Sequence, residues 1–495
     1  MVQAVIEAPA HNVQKDDSIA KLIGHFGRWQ FVVLSAVILV KLSSGWVQMA
    51  ILFLTPKLTY RCVEFSTNRT QYEVQNSTCY ADCVKYAYDT SPFENTIVSE
   101  WNLICDKKWL ASFTQTVLQF GVLIGSILFG FLSDRYGRKN TFLLAIAMLV
   151  SFGFGVPFSP NYVVFTILRF FLGVAVAGTM VISFVIVMET TGPRYREIVG
   201  CLFHVPFILG HVTLPLFAFY FRSWNTYTLA LAVPPVLYLG YFFLMTESPR
   251  WLVTMGRLEE ATTIVKGIAI MNKLSTSKVE ETLKSLSNEI SCKTDQPKAN
   301  YLDLFRDILW QRMLCLLTIW SINGLTFFGL NQYISQTSPD PFISVAAAGL
   351  IQIPSNLIAM YTMKRFGRKL TTSLFACLGG VCALALSLVP DVFWITLTLG
   401  TLGVCFTAMV PPTIYIYSSE LFPTVVRNMS IGALSVGMRV GSMVAPFVAN
   451  LSVVAVWLPA VIFGFAPIIS GVVCLWLPET KGTVLPDSLE DIKRD

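Results

Sequence analysis

Two short runs of charge constrain this chain more than anything else in it: Ser133-Asp134-Arg135-Tyr136-Gly137-Arg138-Lys139-Asn140 and Met363-Lys364-Arg365-Phe366-Gly367-Arg368-Lys369. Each is a knot of cations between two apolar runs, and the runs around the first, 110–132 and 141–158, are each long enough to cross a bilayer. The echo extends further. Glu189…Arg196 returns as Glu420…Arg427, and Glu247-Ser248-Pro249-Arg250 has a fainter partner in Glu479-Thr480-Lys481. Landmarks repeated at offsets of 230 to 232 residues mean that one design is written twice. In an apolar chain, such a parallel repeat implies two similar helical bundles that rock about a shared centre.

With 54% hydrophobic and 13% charged residues over 495 positions, the chain is too apolar for a soluble domain of its size. It reads as an all-α membrane protein with twelve transmembrane helices in two six-helix halves. The spans are expected at 31–54, 110–132, 141–158, 163–187, 198–220, 226–245, 313–334, 342–362, 370–390, 392–417, 430–451 and 456–477. The net charge of +6 would suggest nucleic acid only if its location were ignored. Arg135, Arg138, Lys139, Arg194, Arg196, Lys364, Arg365, Arg368, Lys369 and Arg427 all fall in short loops on one side, and Arg222 stands alone on the other. The positive-inside rule makes the first side cytoplasmic, together with both termini. Residues 1–28 are polar and mixed in charge, so the first span is expected to act as its own signal anchor.

The corresponding divisions are an N-terminal segment 1–30, a first half 31–245, a linking loop 246–312, a second half 313–477 and a tail 478–495. The large outer loop 57–108 holds Cys62, Cys79, Cys83 and Cys105, an even count in an oxidising compartment. Two disulfides follow, with three possible pairings; the alternative is free thiols. No histidine accompanies the cysteines, which argues against a metal site. Asn68 and Asn76 begin glycosylation sequons on the same loop. In the linking loop, Leu258–Met271 and 279–290 read as amphipathic helices, with Glu280 and Lys284 spaced to pair. Prolines 206, 215, 234, 235, 411 and 412 are expected to break spans five, six and ten.

Most charge within the spans sits at their ends. Glu189 and Glu420 face the arginine pairs Arg135/Arg138 and Arg365/Arg368, so Asp134, Glu189, Glu420, Arg196 and Arg427 are expected to latch helices during gating, with Arg169 in the outer part of span four. Lys41 and Arg439 stand apart, each in mid-span with no acid at matching depth. A cation there costs about 2.5–3.5 kcal/mol on insertion scales. The pattern therefore points to an electropositive central cavity that takes an anionic ligand, unless Lys41 snorkels to an interface. Trp320, Phe327 and Phe328 in span seven and Tyr415 and Tyr417 in span ten read either as helix packing or as a stacking wall for an organic solute. His204 and His211, seven apart, read as buried hydrogen-bonded groups or as a proton relay.

Gly121-x8-Gly130-x3-Asp134-Arg135-x-Gly137-Arg138-Lys139 resembles the signature loop of the major facilitator superfamily. Glu247-Ser248-Pro249-Arg250-Trp251-Leu252 and Pro478-Glu479-Thr480-Lys481-Gly482 narrow the resemblance to its sugar-porter and organic-ion branches. Thr96-Ile97-Val98-Ser99-Glu100-Trp101-Asn102-Leu103-Ile104-Cys105 is similar to the organic cation/anion/zwitterion transporter family, notably its invertebrate members. That resemblance implies facilitated or exchange transport at the plasma membrane, no cofactor, and a central aromatic site. With the mid-span cations and aromatic residues above, the expected substrate-binding positions are Lys41, Trp320, Phe327, Phe328, Tyr415 and Arg439. Members often carry six outer-loop cysteines against four here, and Phe327-Phe328 replaces a tyrosine pair of the anion branch. Met438-Arg439-Val440-Gly441-Ser442 looks like the arginine-bearing pattern of anion and carnitine-type members, and the aspartate of cation carriers is absent nearby. The expected partners are a small organic ion and the lipid bilayer, with no nucleic acid, and the chain is expected as a monomer or weak homo-oligomer. The reading is a polyspecific secondary transporter favouring organic anions or carboxylate-bearing zwitterions. Its alternatives are an organic cation carrier using aromatic faces and Glu189, or a transporter-like receptor or sensor that moves nothing. An enzyme is not expected.

Overall fold

The computed structural model describes residues 18–66, 75–293, 304, 309–389, 392–423, 426–453, 455 and 457–482. Among the described residues, ten helices are long and apolar enough to cross a membrane, and two shorter apolar helices, Val205–Tyr220 and Leu458–Cys474, bring the set to twelve. Each expected span is present, most of them a few residues longer than the apolar run that announced it. Span one is Arg28–Met49 continued by Ile51–Leu54, span two Lys108–Tyr136, span four Tyr162–Thr190, span seven Leu309–Thr337, span ten Phe393–Leu421 and span eleven Arg427–Asn450.

The repeated charge knots close tight turns. Gly137 and Gly367 take φ of 98° and 93°, a region that residues with a Cβ rarely enter, and each ends one span and opens the next. The Glu247 carboxylate then accepts from the backbone N–H of Arg138 (2.8 Å) and Lys139 (3.1 Å), and Glu479 does the same for Arg368 (2.8 Å) and Lys369 (3.1 Å). An acid on orphan N–H groups at a helix start satisfies donors and complements the helix dipole. The faintest landmark of the repeat thus has a plain physical role.

Proline acts differently from span to span. Span five divides into Pro193–Leu202 and Val205–Tyr220, and span six passes through a tighter 3-10 stretch, Pro234–Gly240. Span ten, expected to break, runs unbroken through Pro411 and Pro412. Proline 411 cannot donate to the carbonyl of Thr407, and Asn323 Nδ2 of span seven reaches that oxygen at 3.5 Å instead. A neighbouring helix repairs the ladder.

Within each half, two helices cross in backbone contact. Gly45 of span one meets Phe207 and Gly210 of span five, while Gly324 of span seven meets Met438, and Gly441 of span eleven meets Ser321. A Cβ at any of these four glycines would run into a backbone carbonyl oxygen. Gly441 follows Gly210, and Met438 follows Phe207, by 231 positions (441 − 210, 438 − 207), so the crossing belongs to the repeat.

The halves also touch each other near the cysteine-bearing loop. Ser112 Oγ donates to the Pro446 carbonyl (2.9 Å), Thr116 Oγ1 to that of Met443 (2.7 Å) and Gln336 Nε2 to that of Thr55 (3.3 Å). Phe53 stacks on Phe342 at 5.6 Å and Phe93 leans on the same ring at 5.5 Å. At the opposite end, the linking-loop helices Pro249–Thr254, Leu258–Met271 and Val279–Lys293 pack with Ile19 and Ile23 of the helix Ser18–Ile23 in one apolar cluster. Glu280 and Lys284 pair there at 2.9 Å; that hydrogen bond, with the ammonium charge, holds the Glu280 carboxyl below its usual range.

The outer loop contains an antiparallel pair of strands, β1 (Tyr60–Phe65) and β2 (Cys83–Tyr88). Disulfides join Cys62 to Cys83 across the pair and Cys79 to Cys105 at the entry to span two. Partial burial, with Tyr60 and Tyr86 nearby, pushes the Tyr88 hydroxyl up to about 12, so it stays protonated and donates to Asn102 Oδ1 at 2.9 Å. Trp101 anchors the loop on span four and span six through Phe165 and Trp224, both at 5.1 Å. Asn76 is exposed, whereas Asn68 lies outside the described residues. Non-reducing digestion and mass spectrometry are expected to yield the 62–83 and 79–105 linked peptides, with no alkylated thiol among the four. Cys62→Ser is expected to expose Cys83 alone, and a 62–79 or 62–105 linkage would contradict the pairing.

Candidate substrate site and gate

The centre is built where the glycine crossings bring backbones together. Lys41, one turn before Gly45, is 3% exposed, so it does not snorkel to an interface. Its ammonium stands 3.4 Å from His204 Nδ1 and 3.6 Å above the Phe203 ring. Phe203 and His204 occupy the turn between the two helices of span five, and Phe203 presents its aromatic face to the cation. Lys41 also lies within Coulomb range of Arg439, so the two mid-span cations do converge.

Arg439 reaches across the boundary between the halves. Its Nη1 donates to Gln48 Oε1 of span one at 3.5 Å. The Gln48 amide touches Met180 Sδ at 3.2 Å, and its backbone carbonyl accepts from Gln115 Nε2 at 3.1 Å. Gln115 Oε1 in turn accepts from Arg169 Nη2 at 2.6 Å. Two arginines from different halves are therefore joined through two neutral glutamines. His211 belongs to the other class: it is fully buried and hydrogen-bonded, with Gln352 Nε2 of the second half 2.9 Å from its Nδ1.

The aromatic residues divide into two groups. Trp320 and Tyr415 lie 5.6 Å apart, Tyr415 and Phe184 6.3 Å, and Phe184 and Phe203 5.5 Å, which makes an arc from the second half to Lys41 in the first. Tyr415 is 39% exposed and presents its ring to open space. Trp320 is pinned by Nε1 to Ser418 Oγ at 3.0 Å. Phe327 and Phe328 are 8% exposed and pack in the core that carries Phe53 and Phe93, nearer the cysteine loop. Tyr417 is fully buried and hydrogen-bonds the Pro478 carbonyl, a packing role.

The charged residues expected to latch the helices form one assembly in each half. Arg138 grips Glu189 through Nε (3.2 Å) and Nη2 (2.9 Å), and Asp134 through Nη1 (2.9 Å). Arg368 binds Glu420 at 2.8 Å, and Thr480 Oγ1 donates to the same carboxylate at 2.6 Å. Of each arginine pair only the second member reaches its acid. Arg135 and Arg365 end their helices and are exposed, with Arg135 beside the Tyr136 ring at 5.7 Å, whereas Arg138 and Arg368 open the next helix. Arg196 Nε and Arg427 Nε donate to the carbonyls of Thr191 (3.1 Å) and Phe422 (3.3 Å), near the ends of the spans that carry the two glutamates. Arg169 stands away from this assembly, paired with Gln115. Sequence reading missed Gln48 and Gln115, which carry no charge, and Phe203, whose one signal is its place just before Pro206.

A two-bundle helical fold with a buried cationic and aromatic centre defines a membrane transporter of the major facilitator type. Comparison with known proteins agrees: the family described as "Sugar (and other) transporter" matches residues 32–493. The chain belongs to that family, in its solute carrier family 22 branch of organic ion transporters. It is 32% identical to human organic cation/carnitine transporter 2, over 83% of this chain and 74% of that one. It is 32% identical to human solute carrier family 22 member 13, over 80% and 72%, and 29% identical to the Drosophila melanogaster organic cation transporter protein, over 96% and 94%. Among solved structures, the E. coli xylose transporter XylE in an inward-open conformation superposes with a TM-score of 0.69 at 17% identity, covering 94% of this chain and 99% of that one. These relatives are transporters, not enzymes.

Proposed function

We propose that the protein is a polyspecific secondary transporter that favours organic anions and zwitterions bearing a carboxylate, carnitine-like solutes among them. One observation carries the reading: Arg439 lies within Coulomb range of Lys41, and the guanidinium is held by a neutral amide rather than an acid. A carboxylate offers a guanidinium two charged acceptors, which an amide oxygen cannot match. The arc from Trp320 to Phe203 provides faces for the organic body. A cationic solute would need Glu189, and Arg138 already occupies that carboxylate. The carnitine transporter among the relatives supports a zwitterion, and the cation transporter names make cations the second reading.

Contacts join the halves near the cysteine loop, among them Ser112 with Pro446 and Gln336 with Thr55, which supports a carrier closed on that side and alternating between two open states. Charge distribution and the sequons support a plasma-membrane orientation with both termini in the cytoplasm. Uptake of a matched carboxylate, zwitterion and quaternary amine by purified protein in liposomes tests the whole reading. Flux of the amine alone would overturn the preference, and absence of any flux would favour a sensor.

Two smaller tests address parts of the mechanism. Gln48→Glu places a carboxylate on Arg439 from within the chain, so carboxylate uptake is expected to fall about tenfold while surface expression holds. Unchanged uptake would remove Gln48 from the site. Asp134 is 78% exposed, so Asp134→Asn is expected to leave the fold intact and change turnover only about two- to fivefold, by shifting the balance of gate states. Normal turnover at normal expression would deny it a gating role.

A further inference from the structure

Arg169, in the first third of span four, is 2% exposed and has no acid beside it among the groups that bond it. Its Nη2 is taken by Gln115 and the Phe165 ring lies 5.6 Å from its Cζ. Its Nη1 has no protein acceptor among the described residues. The side chain forms part of the wall of a cavity of about 40 Å³, with Val47, Leu118, Leu172, Thr228 and Leu231 around it. One water-sized guest takes about 10–15 Å³ of such space, whereas an organic solute needs several hundred. The cavity is thus too small for the transported ion and large enough for a small inorganic one.

The helix Trp224–Ala232 supplies Thr228 and Leu231 to that wall, and beside them, outside the wall itself, it carries two further buried donors. Tyr227 Oη and Trp224 Nε1 have no protein partner among the described residues, and both residues are 2% exposed. Tyr227 lies within Coulomb range of Arg169, and Trp224 packs at 5.5 Å on the Phe165 ring that Arg169 also faces. An indole N–H and a guanidinium can only donate, and a buried charge without a counter-charge is costly. Arg169 is the one of these three donors in the cavity wall, and a buried cationic donor with no acceptor is what an anion site presents.

We infer that Arg169, assisted by Tyr227 and Trp224, binds a small monovalent inorganic anion of halide size, in a site separate from that of the organic solute. Through Gln115 the bound charge would also bear on Gln48, and so on how Arg439 is held.

The test uses purified protein in lipid nanodiscs with no organic solute present, so its outcome is independent of which organic ion is carried. Line broadening of the chloride NMR signal, displaced by bromide, is expected to be saturable. It is expected to vanish in Arg169→Gln, persist in weakened form in Arg169→Lys, and need about tenfold more chloride in Tyr227→Phe. Arg439→Gln is expected to leave it unchanged. Wild type without saturable broadening would mean water alone fills the cavity and would overturn the site. So would broadening that survives Arg169→Gln and disappears in Arg439→Gln. If Arg169→Gln aggregates, unchanged chloride affinity in both Arg169→Lys and Tyr227→Phe overturns it equally.

Discussion

Arg439→Ala is expected to lower the uptake efficiency for a carboxylate-bearing solute about a hundredfold, as removal of one partner from a buried charge pair does. Arg439→Lys keeps the charge and loses the two-pronged grip of the guanidinium, so a loss of about tenfold is expected. Arg439→Asp is expected to reverse the preference toward cations, because Lys41 then has an acid within range and the centre loses its net positive field. The measurement is uptake of a matched anion and cation by wild type and the three variants at equal surface expression. A wild type that carries only cations without a carboxylate, or normal anion uptake by Arg439→Ala, would end the electropositive-site reading. Gln48 adds an internal control. It is the residue that holds Arg439 across the boundary, so Gln48→Leu combined with Arg439→Ala should cost no more than Arg439→Ala alone.

The second large effect is on the fold and concerns the two arginine–glutamate pairs. Arg138 and Glu189 side chains are 12% and 18% exposed, and the pair joins the start of one helix to the end of another. Arg138→Ala strands Glu189, and a loss of about 3 kcal/mol in stability is expected. A double-mutant cycle with Glu189→Ala should return a coupling of about 1–3 kcal/mol. The second-half pair, Arg368 with Glu420, should follow in kind and fall short in size. Arg138 uses Nε as well as Nη2 on its glutamate, whereas Arg368 Nε finds no acceptor among the described residues. Equal losses in the two halves would contradict that reading of the hydrogen bonds.

The fold was legible because its signals are coarse and repeated. Apolar runs of bilayer length, broken by Gly137 and Gly367 amid arginine, admit few arrangements other than two matched bundles. Lys41 and Arg439 could be found as cations without acids at their own depth, and the structure brings them within range of each other. What stayed hidden depends on relations between distant helices. Nothing in span ten says that Asn323 will serve the carbonyl stranded by Pro411. Glutamine carries neither charge nor strong hydropathy, so Gln48 and Gln115 gave no sign of linking two arginines. The choice of Arg138 over Arg135 rests on which helix each belongs to, a difference of three residues at a turn. Four cysteines allowed three pairings, and only the course of the two strands selects one.

The glycine crossings bear on how inherited variation in this chain should be read. Gly45, Gly210, Gly324 and Gly441 have no side chain and carry no charge, and replacing one with alanine barely alters the hydropathy of its helix. A ranking by chemical dissimilarity would therefore grade Gly441→Ala among the mildest changes possible. Geometry grades it among the harshest, because the added methyl group would occupy the place of the Ser321 carbonyl oxygen. Carriers of such a change would show too little protein rather than altered selectivity, and the deficit would be the same for every solute tried.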